Sequence, residues 1–425
     1  VEQMNKTPKL RFPEFSGEWE EKSIGEIFDF YTTNSFSRDC LNDITGKVKN
    51  IHYGDIHMKF PTILDVKRFH IPYINEDINI EKISPESYCK EGDVVIADAS
   101  EDYADIGKSV EIKNISDEKI VAGLHTILVR DNKGITENGF RGYMLLNERV
   151  RKQIKILAVG SKVLGISKPN MAQVSVNIPE SKEQEKLASF FSLVDEKIQK
   201  QQKKVEALEE YKKGMMQKIF SREIRFKKEN EEEYPEWEFK KLGDYAEKIT
   251  KKNKGFIVTN VISNSAKNGL ISQRNFFDKD IANEDSIDGY YVIEPGDFVY
   301  NPRKSAESPY GPINKYDLSE PGVVSPLYLC FRANYKINGG FLAFYFKSDK
   351  WYRFIYLNSD QGARHDRVSI KDSVVFDLDI EIPTLEEQEK IVDFLSGLDT
   401  KFEKEQQKLE ALNQWKRGLL QQMFV

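Results

Sequence analysis

The chain has 425 residues, of which 39% are hydrophobic, 12% aromatic and 31% charged, with a formal net charge of −6. Such a length asks for two or three domains with real cores, and no apolar run approaches the ~18 residues that a membrane-spanning helix needs. The acidic balance argues against a chain that coats itself in nucleic acid, while leaving room for a locally basic DNA-binding face.

Val1, Glu2 and Gln3 ahead of Met4 read as a processing remnant, and the first thirty residues carry no signal-peptide core, so a cytoplasmic protein is expected. The first domain, 1–176, opens with Arg11-Phe12 and with Glu18-Trp19-Glu20 running to Gly25-Glu26. Short β-rich runs follow at 94–97, just after Gly92-Asp93, and at 126–129, separated by Gly, Asn, Asp and Pro turns. A helical pattern covers 139–156. Residues 177–221 then predict one long helix. Leu187, Phe191, Val194, Ile198, Gln201, Val205 and Leu208 step 4-3-4-3-4-3, a heptad seam, and Ser181 with Gln184 fits an N-terminal capping box.

The plan then repeats. A second domain, 222–380, opens with Arg225-Phe226 and with Glu236-Trp237-Glu238 running to Gly243-Asp244. Gly296-Asp297 precedes another β-rich run, 322–332 resembles 120–130, and 340–357 reads as helix. The last segment, 381–425, repeats the long helix: 178–220 and 382–424 align without a gap and are identical at about 20 of 43 positions. Thr384 with Glu387 fits the capping box, and Ile391, Leu395, Leu398, Phe402, Glu405, Leu409 and Leu412 repeat the seam. At 1.5 Å per residue each helix is roughly 57 Å long, and two copies in one chain supply each other's partner. The fold class is therefore mixed α/β (α+β), with two variable domains and two long helices packed as an antiparallel coiled coil in a pseudo-two-fold arrangement. Matching midpoints would set Gln201 against Glu405 and Leu187 near Leu419.

No catalytic constellation emerges. Asn301-Pro302-Arg303-Lys304 starts like an amino-methyltransferase tetrad and fails at its third letter. Gly107-Lys108-Ser109 lacks the first glycine of a phosphate loop, with Asp102 in its place. Glu111-Ile112-Lys113, with Asp98 or Asp105, could serve a Mg²⁺ nuclease, but E-x-K on a strand usually marks a solvated face. His52, His57, His70, His125 and His365 have no metal-ligand spacing, and Cys40, Cys89 and Cys330 read as reduced, partly buried thiols. No metal site is expected.

The loops offer different chemistry. Segments 263–275 and 359–367 concentrate Asn, Gln, Ser, Lys, Arg and His, the side chains that read base edges. Their candidate DNA-binding residues are Asn264, Lys267, Asn268 and Arg274, then Gln361, Arg364, His365 and Arg367, with Arg303 and Lys304 displayed on a turn. In the first half, segments 50–57 and 159–168 are the counterparts, offering His52, Tyr53, His57, Ser161, Lys162 and Lys168, with Ser100 between them. Each loop alone is more often an ordinary solvated loop; their similar placement in both halves favours binding.

The two Ile-Pro-x-x-x-Glu-Gln-x-Lys helix starts, the Asp-x-Lys steps (Asp195 and Lys197, Asp399 and Lys401), the Lys-x-Gly ends at Lys212 and Lys416, the Glu-Trp-Glu segments and 322–328 form a specific set. With these residues the chain resembles the specificity subunit of Type I restriction–modification systems over essentially its whole length. The first half departs at 120–126, where the family-like Val-Val-Ser-Pro-Leu-Tyr is replaced. The resemblance implies a non-catalytic DNA reader whose two target recognition domains each bind half of a split double-stranded target. It implies helices that space these domains and dock two modification (adenine methyltransferase) subunits, with Glu183, Gln184, Asp195, Lys197, Glu387, Gln388, Asp399 and Lys401 as docking candidates. It also implies two restriction (motor-nuclease) subunits, and S-adenosylmethionine, ATP and Mg²⁺ on those partners, with no cofactor on this chain. The competing readings are a protein-only adaptor and a stand-alone nuclease.

Overall fold

The computed structural model describes residues 6–273, 287–360 and 365–425. The chain divides into two compact units, the first made of 1–203 with 407–425 and the second of 204–406. Each unit therefore holds the start of one long helix and the end of the other. The central helix is Ser181–Phe220 and the C-terminal helix is Leu385–Met423. Among the described residues no helix is long and apolar enough to cross a membrane.

The first unit is built on a five-stranded sheet in the order Asp29–Tyr31, Thr126–Arg130, Val94–Ala97, Ser109–Lys113, Ile63–Asp65. All neighbours are antiparallel except the last pair. The second unit repeats the first four positions with Ala246–Lys248, Leu329–Ala333, Phe298–Tyr300 and Ile313–Lys315, all antiparallel. Both faces are covered, which is why the strands read as continuous apolar runs and not as alternation. Val94 and Ile96 point into one cluster, Val95 and Ala97 into another. In the second unit Phe298 and Tyr300 join one cluster, Val299 the other.

The Glu-Trp-Glu segments lead into short ribbons, Glu20–Ser23 with Ser175–Ile178 and Glu238–Lys241 with Asp379–Ile382. These ribbons seat the tryptophans against the helix ends. Trp19 stands edge-on to Phe424 with ring centroids 6.0 Å apart, and Trp237 stands edge-on to Phe220 at 6.3 Å. Leu187, Phe191, Leu420 and Met423 complete the first core; Ile219, Ile391 and Leu395 complete the second. The helices predicted at 139–156 and 340–357 are each broken in two. Asn147 ends Phe140–Leu146 and caps Glu148–Leu157, its Nδ2 donating to the Val425 carbonyl at 3.2 Å. In the second unit Ser348 closes Gly339–Lys347 by donating Oγ–H to the Tyr345 carbonyl at 2.6 Å.

Within each unit the long helices run antiparallel, and the repeated motifs pair with each other. Lys416 meets Asp195 at 2.5 Å in the first unit; its repeat-mate Lys212 meets Asp399 in the second. The register differs from the midpoint expectation by about one turn. That expectation would set 195 opposite 411 and 212 opposite 394, whereas the observed partners are 416 and 399. Glu405 accordingly pairs with Lys204 at 2.6 Å, both in the second unit. The Asp–Lys pairs and the aromatic packing at the helix ends hold this register.

Candidate nucleic-acid interface

In each unit one clamp ties together the two strands that lead to the surface of interest. Gly92 and Gly296 take left-handed conformations, φ +78° and +96°, which glycine adopts without a Cβ penalty. The aspartates that follow are buried and accept a backbone hydrogen bond, from Lys90 N–H to Asp93 and from Glu294 N–H to Asp297, both at 2.7 Å. Each is then gripped by an arginine one strand away. Arg130 donates Nε–H and Nη2–H to Asp93 at 2.8 and 2.7 Å; Arg332 does the same to Asp297 at 2.6 and 2.9 Å. Such forked pairs are rigid in direction as well as strong. They tie the start of Val94–Ala97 to the end of Thr126–Arg130 and the start of Phe298–Tyr300 to the end of Leu329–Ala333, and the surface of interest lies at the opposite ends of the same strands.

The segments singled out in the sequence converge there. In the first unit Leu164–Gly165 pairs with Ala99–Ser100, and Ile166 N–H donates to the Asp98 carbonyl at 2.8 Å. In the second unit Arg303 and Arg367 form a backbone bridge, and Val368 N–H donates to the Pro302 carbonyl at 2.8 Å. A further segment abuts the same strand end. His57, on the short helix Tyr53–Met58, lies with Nε2 3.0 Å from the Ala99 carbonyl. The hairpin of Ile262–Ser265 and Gly269–Ser272 is held through Asn264 Nδ2–H to the Val299 carbonyl at 2.7 Å and Asn301 Nδ2–H to the Asn264 carbonyl at 3.1 Å.

Individual side chains divide between display and support. Ser161, Lys162, Lys168, Lys267, Asn268, Arg303 and His365 are exposed; Tyr53, His57, Lys304 and Arg367 are half-buried. His52, Ser100 and Asn264 are buried, so their polar groups are spent inside the fold and do not reach a base. His52 caps Tyr53–Met58 by accepting from Gly54 N–H at 3.1 Å, and burial, then the Arg38 charge, lower its pKa. Ser100 Oγ–H donates to the Asp102 carbonyl at 2.9 Å. Arg274, Gln361 and Arg364 lie outside the described residues. Residues not flagged in the sequence join the surface: Arg38, exposed and ion-paired with Asp55 at 2.9 Å, and Tyr328, half-buried beside Arg303 and Arg367. Burial pushes the Tyr328 hydroxyl above the ordinary phenol range, and the two guanidiniums pull the other way.

Glu111 is not on a solvated face, as the E-x-K reading expected. It is 1% exposed and accepts from Gly139 and Gly142 N–H at the start of Phe140–Leu146, while Lys113 is exposed. Among the described residues no group of three His, Cys, Asp or Glu side chains could hold a metal.

The helix residues expected to dock partners also divide. Glu183 takes a forked pair from Arg11 at 2.8 and 2.7 Å, and Glu387 takes one from Arg225 at 3.2 and 2.9 Å. Gln184 accepts from Glu137 N–H and Gln388 from Asn338 N–H, both at 2.8 Å. All four are buried, so they lock the Arg-Phe segments and the domain cores onto the helix starts and offer no surface. This also breaks the expected capping boxes: Thr384 Oγ accepts from Glu387 N–H at 3.4 Å, but the Glu387 side chain turns inward to Arg225. Asp195 and Asp399 are committed to the helix pairing, leaving Lys197 and Lys401 exposed.

Comparison with known proteins matches this architecture. The Type I restriction modification DNA specificity domain family matches residues 16–210 and again 234–414. A protein of Methanocaldococcus jannaschii, provisionally named type I restriction enzyme MjaX specificity subunit, is 25% identical over 434 residues, covering 97% of this chain and 94% of that protein. The type I restriction enzyme MjaVIII specificity subunit of the same organism is 25% identical over 290 residues, 63% of this chain and 65% of the relative. The crystal structure of the Type-I restriction-modification system S subunit from M. genitalium shares the fold, with a TM-score of 0.53 at 13% identity over 99% of both chains. The matched chain, with its paired helices and its twofold DNA-specificity domain, thus belongs to the Type I restriction modification DNA specificity family as a non-catalytic specificity subunit.

Proposed function

We propose that each unit reads one half of a split, asymmetric double-stranded DNA target through the surface at the strand ends opposite its Asp–Arg clamp. The paired helices set the spacing between the two halves and dock two modification (adenine methyltransferase) subunits, with Lys197 and Lys401 among the docking side chains. Two restriction (motor-nuclease) subunits complete the cytoplasmic complex, and S-adenosylmethionine, ATP and Mg²⁺ belong to these partners. The observation that carries this reading is the convergence of polar and basic segments at the same strand ends in both units, on strands that an Asp–Arg clamp ties together at their opposite ends. Exposed Lys162 and Lys168 in the first unit, and Lys267 and Arg303 in the second, give each unit of an acidic chain cations for phosphate contacts.

A gel shift of the purified complex on target-bearing fragments tests the proposal. Affinity should fall with salt, with a log–log slope of about −0.9 for each phosphate neutralised. Failure of the complex to shift any duplex would favour the protein-only adaptor.

A further inference from the structure

The loop between Ile120–Ala122 and Thr126–Arg130 carries a polar side chain that belongs to none of the buried clusters of the first unit. His125 sits at φ +54°, a conformation uncommon for residues other than glycine, and its side chain is 51% exposed. The loop beneath it is pinned. Gly123 N–H donates to the Ile51 carbonyl at 2.9 Å, Thr126 Oγ–H to the Gly123 carbonyl at 2.5 Å, and Asp98 N–H to the His125 carbonyl at 3.0 Å. The ring is bracketed as well: Nδ1 lies 3.4 Å from Asp98 Oδ1, and Tyr53 stands edge-on with ring centroids 5.4 Å apart. Asp98 is in turn anchored through its own carbonyl to Ile166 N–H at 2.8 Å. An exposed polar ring on a strained but fully tied loop is organised to meet something outside the chain.

Resting on the proposal that the first unit reads DNA, we infer that His125, oriented by Asp98, is a specificity-determining residue of that unit. It accepts a hydrogen bond from the exocyclic amino group of adenine or cytosine in the major groove. The chemistry follows from the carboxylate. Asp98 favours the tautomer with the proton on Nδ1, because that N–H faces an anion, and this leaves a bare lone pair on Nε2, on the far side of the half-exposed ring from Asp98. Major-groove hydrogen-bond donors are limited to adenine N6 and cytosine N4, so an outward acceptor discriminates against guanine and thymine at the position it meets. The exposed Leu327 occupies the aligned position of the second unit, so this side-chain chemistry belongs to the first half-target alone.

The test uses the complex of the full chain with its modification subunits and a panel of duplexes carrying every single-base change in both half-targets. Glycine tolerates φ +54°, so His125→Gly removes the ring without straining the loop. The expected result is relaxed discrimination at one position of one half-target, by roughly 5- to 150-fold, with the other half and the salt slope unchanged. Asp98→Ala should relax the same position, and Asp98→Asn, whose amide oxygen can still accept from Nδ1–H, should restore it. A uniform loss across all duplexes with a salt slope smaller by about one would make His125 a phosphate contact. An unchanged panel would make it a bystander, and either outcome overturns the inference. The broader reading fails differently: a first unit that does not read DNA would leave its half-target insensitive to every substitution on this surface.

Discussion

Glu111 gives the sharpest physical test of the first unit's core. Its carboxyl is 1% exposed, and burial pushes its pKa up from 4.5 to about 7, against the pull of the Gly139 and Gly142 amides and of Arg141. Below pH 4.5 both folded and unfolded chains hold the proton, and the stability associated with it is fully present. As pH rises from 4.5 to about 7 the unfolded chain ionises while the folded one resists, so stability is lost; above about 7 the loss is complete. At 1.36 kcal/mol per pKa unit, a shift of this size corresponds to about 3 kcal/mol. Glu111→Gln removes the titration while keeping an acceptor for one amide. The difference in stability between variant and parent should therefore change by about 3 kcal/mol in favour of the variant between pH 4.5 and 8. Hydrogen exchange of the Ser109–Lys113 amides, corrected for intrinsic rates, reads that difference locally. A difference that stays constant with pH, or grows in the parent's favour, would show that the two amides hold Glu111 ionised throughout and would refute the reasoning.

Three further outcomes follow from the contacts described. Arg130→Met strands the buried Asp93 carboxylate and should cost about 3–5 kcal/mol in urea unfolding, with Asp93→Asn added to it recovering part of the loss. Asp195→Lys should lower the melting temperature by opposing Lys416, and Lys416→Asp in the same chain should restore it with a coupling of about 0.5–3 kcal/mol. Arg303→Ala or Arg367→Ala should weaken recognition of the second half-target by about 1–3 kcal/mol for a base contact, leaving the first half unaffected in methylation assays.

Much of the framework was legible in the sequence because it rests on long-range repetition and long-period signals. The two helices follow from their seams, and the Gly-Asp strands and their arginines stood at matching places in both halves. The role of those motifs was not legible. Nothing in one dimension says that Asp93 reaches Arg130 across a strand, or that Glu183 and Glu387 both take the arginine of Arg-Phe, Glu387 turning away from its capping box to do so. The helix register shows the same limit: polar residues in a seam suggested one pairing, but the repeated Asp and Lys and the terminal aromatics chose another, about one turn away. Loop composition and spacing picked out segments that the fold brings together at one strand end of each unit, while side-chain direction decided which residues face outward. His52, Ser100 and Asn264 have the right chemistry and point inward. Composition gives His125 no mark beyond that of the other histidines, because its signal is a positive φ at a position where the two halves differ in sequence.

A division of labour between the two units is open to direct measurement. Residues 30–165 can be exchanged for the matching segment of another specificity subunit, and the methylated adenines in a strain carrying the hybrid mapped by sequencing. One half of the methylated sequence should change while the other half remains as before. A target altered in both halves, or in neither, would contradict it.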